Sequence, residues 1–217
     1  GLLQGVKERL KGCEISVFDQ VKPDPSLHLV AQGVHALRAF GPDTVLAFGG
    51  GSPMDCAKAM RHFAGGNPPP ELWCIPTTAG TGSEVTSFAV LTDADVGVKY
   101  PLVDDALLPD CAVLDASLLA GVPPAVTADT GMDVLTHAAE GCVARKATPF
   151  SDAMGEKAFS MAWRSLSGAH AGDNGAKGEM LLASCLAGIS FNAAGLGICH
   201  ALAHALGGRY HIPHGRL

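Results

Sequence analysis

Thr44–Met60 reads TVLAFGGGSPMDCAKAM, and its order decides the fold. Thr44–Phe48 is an apolar, β-rich run of strand length, and the segment after the glycines has helical character. Gly49, Gly50 and Gly51 let the chain turn tightly and let backbone approach a ligand that a Cβ would repel. Ser52 is placed to cap the helix, whose N-terminus offers free N–H groups and partial positive charge to a pyrophosphate. The stretch is neither a GxGxxG nor a Walker A sequence, so a tight strand-to-helix turn without a ligand stands beside the phosphate cradle as a reading.

Working outward, Leu72–Ile75 is a second short apolar strand, and it leads into another small-residue loop, Pro76–Glu84 (PTTAGTGSE). Two strand ends pointing the same way, each followed by a Gly/Thr/Ser loop, predict a ligand crevice at the carboxyl edge of a mostly parallel sheet. Phe88–Leu91 and Lys99–Leu102 form a hairpin about a turn-like Asp93–Gly97, and Ala112–Leu114 is one more short strand. Upstream, Ser26 caps a helix over Leu27–Phe40, Asp19–Ser26 is a proline-bearing loop, Leu2–Lys11 is helical, and Glu14–Phe18 (EISVF) reads as a strand.

From Pro123 the pattern turns helical. A helix over Pro123–Ala144, with Gly131 as a local break, carries Asp133 and His137 one turn apart on one face. Thr148–Leu166 is helical, Ser167–Gly178 a polar linker, and Glu179–Leu206 a buried helix or helix pair. The next stretch, GLGICHALAHALGGRYHIPHG (Gly195–Gly215), holds four of the nine histidines. His200 and His204 share a helical face, and a break at Gly207–Gly208 followed by Pro213 brings His214 in from a loop. Taken alone, these are metal ligands or core histidines bonded to backbone. Together with Asp133 and His137, the set Asp133, His137, His200 and His214 offers one oxygen and three nitrogens, which suits Fe(II) or Zn(II) and leaves room for a substrate oxygen. His211 is read as a loop histidine without a role.

The 217 residues are 47% hydrophobic and 17% charged, the balance of a well-buried globular chain, and the net charge of −6 comes without a basic run. Nucleic acid and anionic membrane are therefore poor partners. Seven cysteines without a CxxC pair suit buried, reduced thiols in a cytoplasmic protein. Met180–Gly208 contains no charged residue, but its Gly, Ala and Ser content, Asn192 and the histidines favour helices buried in protein over a membrane span. The opening GLLQGVKERL has no initiating methionine and reads as mid-helix, so an N-terminal portion is expected to be absent.

GGGSPMDCAK, PTTAGTGSEVTS, TGMDVLTHAAE and GLGICHALAHALGGRYHIPHG, in this order, resemble the iron-containing (group III) alcohol dehydrogenase family. ATPFSD and MLLASCLAGISF bring the chain nearest to the alcohol dehydrogenases of ethanolamine and propanediol utilisation. The resemblance implies an α/β dinucleotide-binding, Rossmann-like domain over residues 1–120 and an all-α metal-binding domain over 121–217, a dehydroquinate synthase-like architecture, with both parts truncated. It places the metal on Asp133, His137, His200 and His214, and the cofactor on Gly50, Gly51, Ser52, Asp55, Thr77, Thr78, Thr81 and Lys99. Asp24 stands where many members have asparagine. His204 becomes the catalytic residue, relaying a proton to solvent or orienting His200 and the substrate.

The implied reaction is reversible hydride transfer between a short-chain primary alcohol or aldehyde and NAD, with NADP left open. The implied metal is Fe(II) or Zn(II), the implied assembly a homo-oligomer such as a dimer, and the implied location the cytoplasm or a bacterial microcompartment. The alternatives are a glycerol- or polyol-type dehydrogenase on the same scaffold, or a non-catalytic fragment that binds metal or nucleotide.

Overall fold

The computed structural model describes residues 1–210 and 212–217, so the loop histidine His211 lies outside the described residues. The N-terminal part runs α1 (Leu2–Arg9), α2 (Leu27–Phe40), β1 (Thr44–Gly49), α3 (Gly51–Ala64), β2 (Glu71–Pro76), β3 (Phe88–Asp93), β4 (Val98–Val103) and the two-residue β5 (Cys111–Ala112). The C-terminal part is helical: α4 (Pro124–Val143), α5 (Pro149–His170), α6 (Asn174–Ala194) and α7 (Ile198–Tyr210), followed by a 3₁₀ turn at His214–Arg216.

β1, β2 and β5 form a parallel sheet in that order, with Thr44 opposite Glu71 and Gly49 opposite Pro76. The carboxyl ends of β1 and β2 therefore lie side by side, as their flanking loops require. β3 and β4 pair as the expected hairpin, with Asp93 opposite Val98. α3 buries Met54 and Ala57 against Ala47, Leu72 and Cys74 of the sheet, and turns Cys56, Ala59 and Met60 towards Val30, Val34 and Leu91. Lys58, wholly buried on α3, donates from Nζ to the carbonyls of Thr86 (2.7 Å) and Phe88 (2.8 Å). It thereby ties the helix after the glycines to the chain leaving the Pro76–Glu84 loop, with its charge answered by carbonyl oxygens.

α4, α5 and α6 share a second core of Val134, Ala138, Ala158, Ala162, Met180, Ala183 and Ala187, whose small side chains let the helices approach closely. α5 opens on a capping box in which Thr148 Oγ1 accepts from Ser151 N–H and Ser151 Oγ from Thr148 N–H. Asn192 of α6 joins the two parts, its Oδ1 accepting from Ser87 N–H (2.8 Å) and Ser87 Oγ (3.0 Å). The chain contains no single described helix long and apolar enough to cross a membrane; α6 and α7 pass that test only together, and they are bent by 104°.

The structure corrects several expectations from the sequence. Glu14–Phe18 joins no ladder among the described residues: Ile15 and Val17 are exposed, and Phe18 packs beside Val21 on the α2–α3 cluster, so side-chain packing replaces strand pairing. Gly50, not Ser52, is the N-cap of α3; Ser52 sits inside the first turn. Gly131 causes no break, because α4 is continuous and a Cβ there would strike Leu166 Cδ1; the glycine admits a neighbouring helix. α5 extends to His170 and α6 starts at Asn174 under an Asp173 cap, so the linker is only a short turn.

The Gly207–Gly208 break is likewise absent. α7 runs through both glycines to Tyr210, with Gly208 facing the hairpin backbone, where a Cβ would sit in ordinary contact 3.5 Å from Lys99 N and 3.6 Å from Gly97 O. Two helical glycines cost roughly 1 kcal/mol each, a propensity that tertiary context overrides here. The real break comes earlier, at Gly195–Gly197 between α6 and α7, where Gly195 adopts φ 89°.

Candidate metal centre and nucleotide crevice

The metal-side residues converge from α4, α7 and the turn beyond it. Oδ1 of Asp133 is the common neighbour: Nε2 of His200 lies 3.5 Å away, Nε2 of His214 3.6 Å and Nε2 of His137 3.7 Å. Donor atoms of Asp133, His200 and His214 all lie within 4.8 Å of one another. His137 stands beside that trio, its ring sandwiched between His200 and Phe191 at centroid distances of 4.5 Å each. Ligands bonded at about 2.0–2.2 Å around a tetrahedral ion are separated by about 3.3–3.6 Å, so these gaps have the length of the edges of one coordination polyhedron.

The chemistry of the donors also fits a cation. Nε2 of His200 is buried and without a hydrogen-bond partner, an arrangement that would be costly if nothing else were to meet it. Burial would raise the Asp133 carboxyl pKa, yet His137, His200 and His214 outweigh it and hold the group below its usual range. Burial pushes His137 down to about 4, leaving the neutral imidazole that can act as a ligand. For His214 burial again dominates and lowers the pKa. For His200 burial also acts downwards, but Asp133 and Glu140 reverse the sign and raise it. A cleft of about 30 Å³, lined by Asp133, Thr136, Cys199, His200, Ala203 and His214 among others, opens beside the donors and has room for a water-sized group.

His204 sits one turn beyond His200 on α7, half-buried, its ring 5.0 Å from His214 and 6.3 Å from His200 between centroids. Burial, then the charges of His214, His200 and Lys99, push its pKa down to about 4.

Glu140 carries no role in the sequence reading. It lies on α4 below Asp133 and His137 and accepts a 2.7 Å hydrogen bond from Nδ1 of His200. Its signal was present in TGMDVLTHAAE, three residues after His137 on the same helical face, but its partner lies on a helix distant in sequence.

On the α/β side, the two small-residue loops touch. Gly49 adopts φ 151° and packs under Pro53, and Thr77 N–H donates to Gly49 O at 2.9 Å. A Cβ on Gly50 would come within 3.1 Å of Thr78 Oγ1, and one on Gly51 within 2.8 Å of Thr81 Cγ2, so the threonines of one loop face the glycines of the other. Ser52 lies in the first turn of α3, whose leading N–H groups have no intrahelical acceptor. Asp55 differs from these: Ser83 Oγ (2.7 Å) and Val90 N–H (3.0 Å) take up both its oxygens, so it braces the loop from below. Burial raises its pKa, against Lys58, Ser83 and Val90.

Lys99 is set apart from the crevice residues in sequence but joins the two halves in space. From β4 its Nζ donates to Asp24 Oδ1 at 2.6 Å, and its charge is felt by both His204 and His214. Asp24 itself has φ 60°, a left-handed conformation that Asp and Asn tolerate better than most residues.

Both parts of the chain match known proteins. Residues 1–116 match the family described as "Iron-containing alcohol dehydrogenase", and residues 127–217 match "Fe-containing alcohol dehydrogenase family, C-terminal". The chain is 51% identical over 205 residues to the 1-propanol dehydrogenase PduQ of Salmonella typhimurium, covering 93% of this chain and 55% of that protein. It is 44% identical over 221 residues to the NADPH-dependent butanol dehydrogenase of Clostridium saccharobutylicum, covering 94% of this chain and 57% of the relative. A crystal structure of 1,3-propanediol oxidoreductase superposes with a TM-score of 0.92 at 39% identity, over 99% of this chain and 61% of the other. The chain thus spans little more than half the length of these curated relatives. With both halves matched in order and the α/β and helical parts preserved, the chain belongs to the iron-containing alcohol dehydrogenase family.

Proposed function

We propose that the chain is part of an oxidoreductase that transfers hydride between a short-chain primary alcohol or aldehyde and a nicotinamide cofactor, with residues 1–120 on the cofactor side and 121–217 on the metal side. The observation that carries this reading is the convergence of three imidazole nitrogens on Asp133 Oδ1 at 3.5–3.7 Å, with Nε2 of His200 unpartnered.

Asp133, His137, His200 and His214 would hold a divalent cation, with Fe(II) the expected ion and Zn(II) also suited to the donors. Such an ion supplies Lewis acidity, and NAD or NADP supplies the hydride carrier. Asp133 contributes the negative charge of the centre, and the two histidines of low pKa stay neutral and available as donors. Gly50, Gly51 and Ser52 bring α3's positive end to a pyrophosphate, while Thr77, Thr78 and Thr81 offer hydroxyls across the crevice. Lys99, held by Asp24, places a cation beside His204 and His214. His204, outside the cluster around Asp133 and beside His214, passes the alcohol proton towards solvent. The names of the relatives, which act on propanol and butanol, favour a C3–C4 alcohol over a polyol.

The test is an anaerobic assay of the Fe(II)-loaded protein with NAD or NADP and ethanol, 1-propanol, 1-butanol or glycerol. Reduced nicotinamide formed from 1-propanol or 1-butanol supports the reading. Faster turnover of glycerol moves it to a polyol enzyme, and cofactor binding without turnover moves it to a binding fragment.

A further inference from the structure

We propose that Glu140 is a positioning residue that fixes the start of α7 and the metal-facing nitrogen of His200 together, so that ion binding and the ordering of α7 are coupled. The proposal rests on the reading of Asp133 and the histidines as a metal centre.

α7 begins just after the bend at Gly195, in a stretch (Gly195–Ile198, GLGI) that holds no Ser, Thr, Asp or Asn to cap it. The first N–H groups of any helix need outside acceptors. Here they come from another helix: Glu140 Oε1 accepts from Cys199 N–H at 2.7 Å and Oε2 from Gly197 N–H at 2.8 Å. Oε2 also accepts from His200 Nδ1 at 2.7 Å, so one oxygen serves both the helix start and the histidine. Glu140 is 8% exposed, and a Cβ on Gly197 would stand 2.6 Å from Oε1, so the contact has no slack.

An ionised carboxylate only accepts, so His200 must carry a proton on Nδ1, and in the neutral ring that leaves the lone pair on Nε2, the nitrogen that faces Asp133. α4 thus clasps one imidazole between two of its own carboxylates, Asp133 on the ion's side and Glu140 on the other. The isosteric amide cannot do this. If a glutamine points its oxygen at Gly197 and His200, its NH₂ opposes Cys199 N–H. If flipped, its NH₂ faces Nδ1 and Gly197 N–H, which favours the tautomer whose Nε2 is protonated and cannot bind a metal.

The experiment uses Zn(II) as a diamagnetic probe on the purified chain, wild type and Glu140→Gln. Calorimetry gives affinity, hydrogen exchange reads the Gly197–His204 amides, and ¹⁵N-histidine spectra read the His200 tautomer. In wild type, Zn(II) should slow exchange at the start of α7, and His200 should show a protected Nδ1 proton. E140Q should bind Zn(II) 10–100-fold more weakly, the range for groups that orient a ligand, and should leave those amides fast-exchanging. A folded E140Q with unchanged affinity and tautomer overturns the proposal. Should E140Q not fold, the wild-type readings decide: no protected Nδ1 proton, or no Zn(II)-dependent slowing in α7, also overturns it. If wild type binds no Zn(II) yet shows the Nδ1 proton, the metal reading fails while the Glu140–His200 contact stands.

Discussion

Oδ1 of Asp133 and Nε2 of His200 stand 3.5 Å apart, too far for an ordinary hydrogen bond and the right distance for two ligands of one ion. Both atoms are buried, and α4 and α7 hold them there. Removing either partner should therefore cost metal affinity more than fold. His200→Ala is expected to weaken divalent-ion binding by more than about 100-fold, beyond the range of residues that merely orient a ligand. His204→Ala should leave affinity within a factor of about 3 and lower turnover alone. Equal metal loss in the two variants, measured by calorimetry, would contradict their separate roles.

The crevice makes a prediction about shape. Gly51 lies inside α3 with an ordinary backbone conformation, but a Cβ there would meet Thr81 Cγ2 at 2.8 Å. Gly51→Ala should leave the urea midpoint nearly unchanged while pushing Thr81 out of place. Dinucleotide affinity, read by NADH fluorescence, should fall about tenfold, or about 1.4 kcal/mol. Undiminished binding would separate Thr81 from the cofactor.

Gly82 tests the packing of the same loop on the helical part. Its φ is 60°, and a Cβ would meet Gly188 Cα at 2.7 Å and Ser184 O at 3.0 Å on α6. Gly82→Ala combines left-handed strain with overpacking and should cost about 2–4 kcal/mol in urea unfolding. A loss under 1 kcal/mol would mean that the loop can lift from α6.

Buried Glu84 gives stability a pH dependence. Its Oε1 has no partner, and burial pushes its pKa up to about 7 against its backbone bond and Lys58. A carboxyl whose folded pKa lies above the unfolded value near 4.5 contributes stability that is full below about pH 4.5 and lost as pH rises through about 7. The protein should therefore lose on the order of 3 kcal/mol from this group between pH 4.5 and 7.5. Glu84→Gln should remove that slope, so that unfolding midpoints of variant and wild type diverge in the variant's favour as pH rises. Parallel pH curves would show that Glu84 is ionised throughout.

The elements nearest the chemistry were the most legible. β1, the glycines and α3 could be read directly because strand, turn and helix follow one another locally, and Asp133 with His137 because a helix puts i and i+4 on one face. What escaped depends on contacts distant in sequence. Gly131 resembles a helix breaker until Leu166 is seen to need its space, and Gly208 until α7 is seen to run through it beside the hairpin. Glu14–Phe18 has a strand's composition without a ladder partner among the described residues. Glu140 resembles any helical glutamate until the start of α7 folds onto it.

In the proposed reading, α4, α7 and the turn at His214 build one cation site. Anaerobic equilibrium dialysis of the chain against Fe(II), with Asp133→Ala and His214→Ala alongside, tests it directly. A single ion per chain is expected in wild type, lost in both variants while they remain folded. Binding in the variants equal to wild type, or no binding in wild type at concentrations that leave it folded, would contradict it.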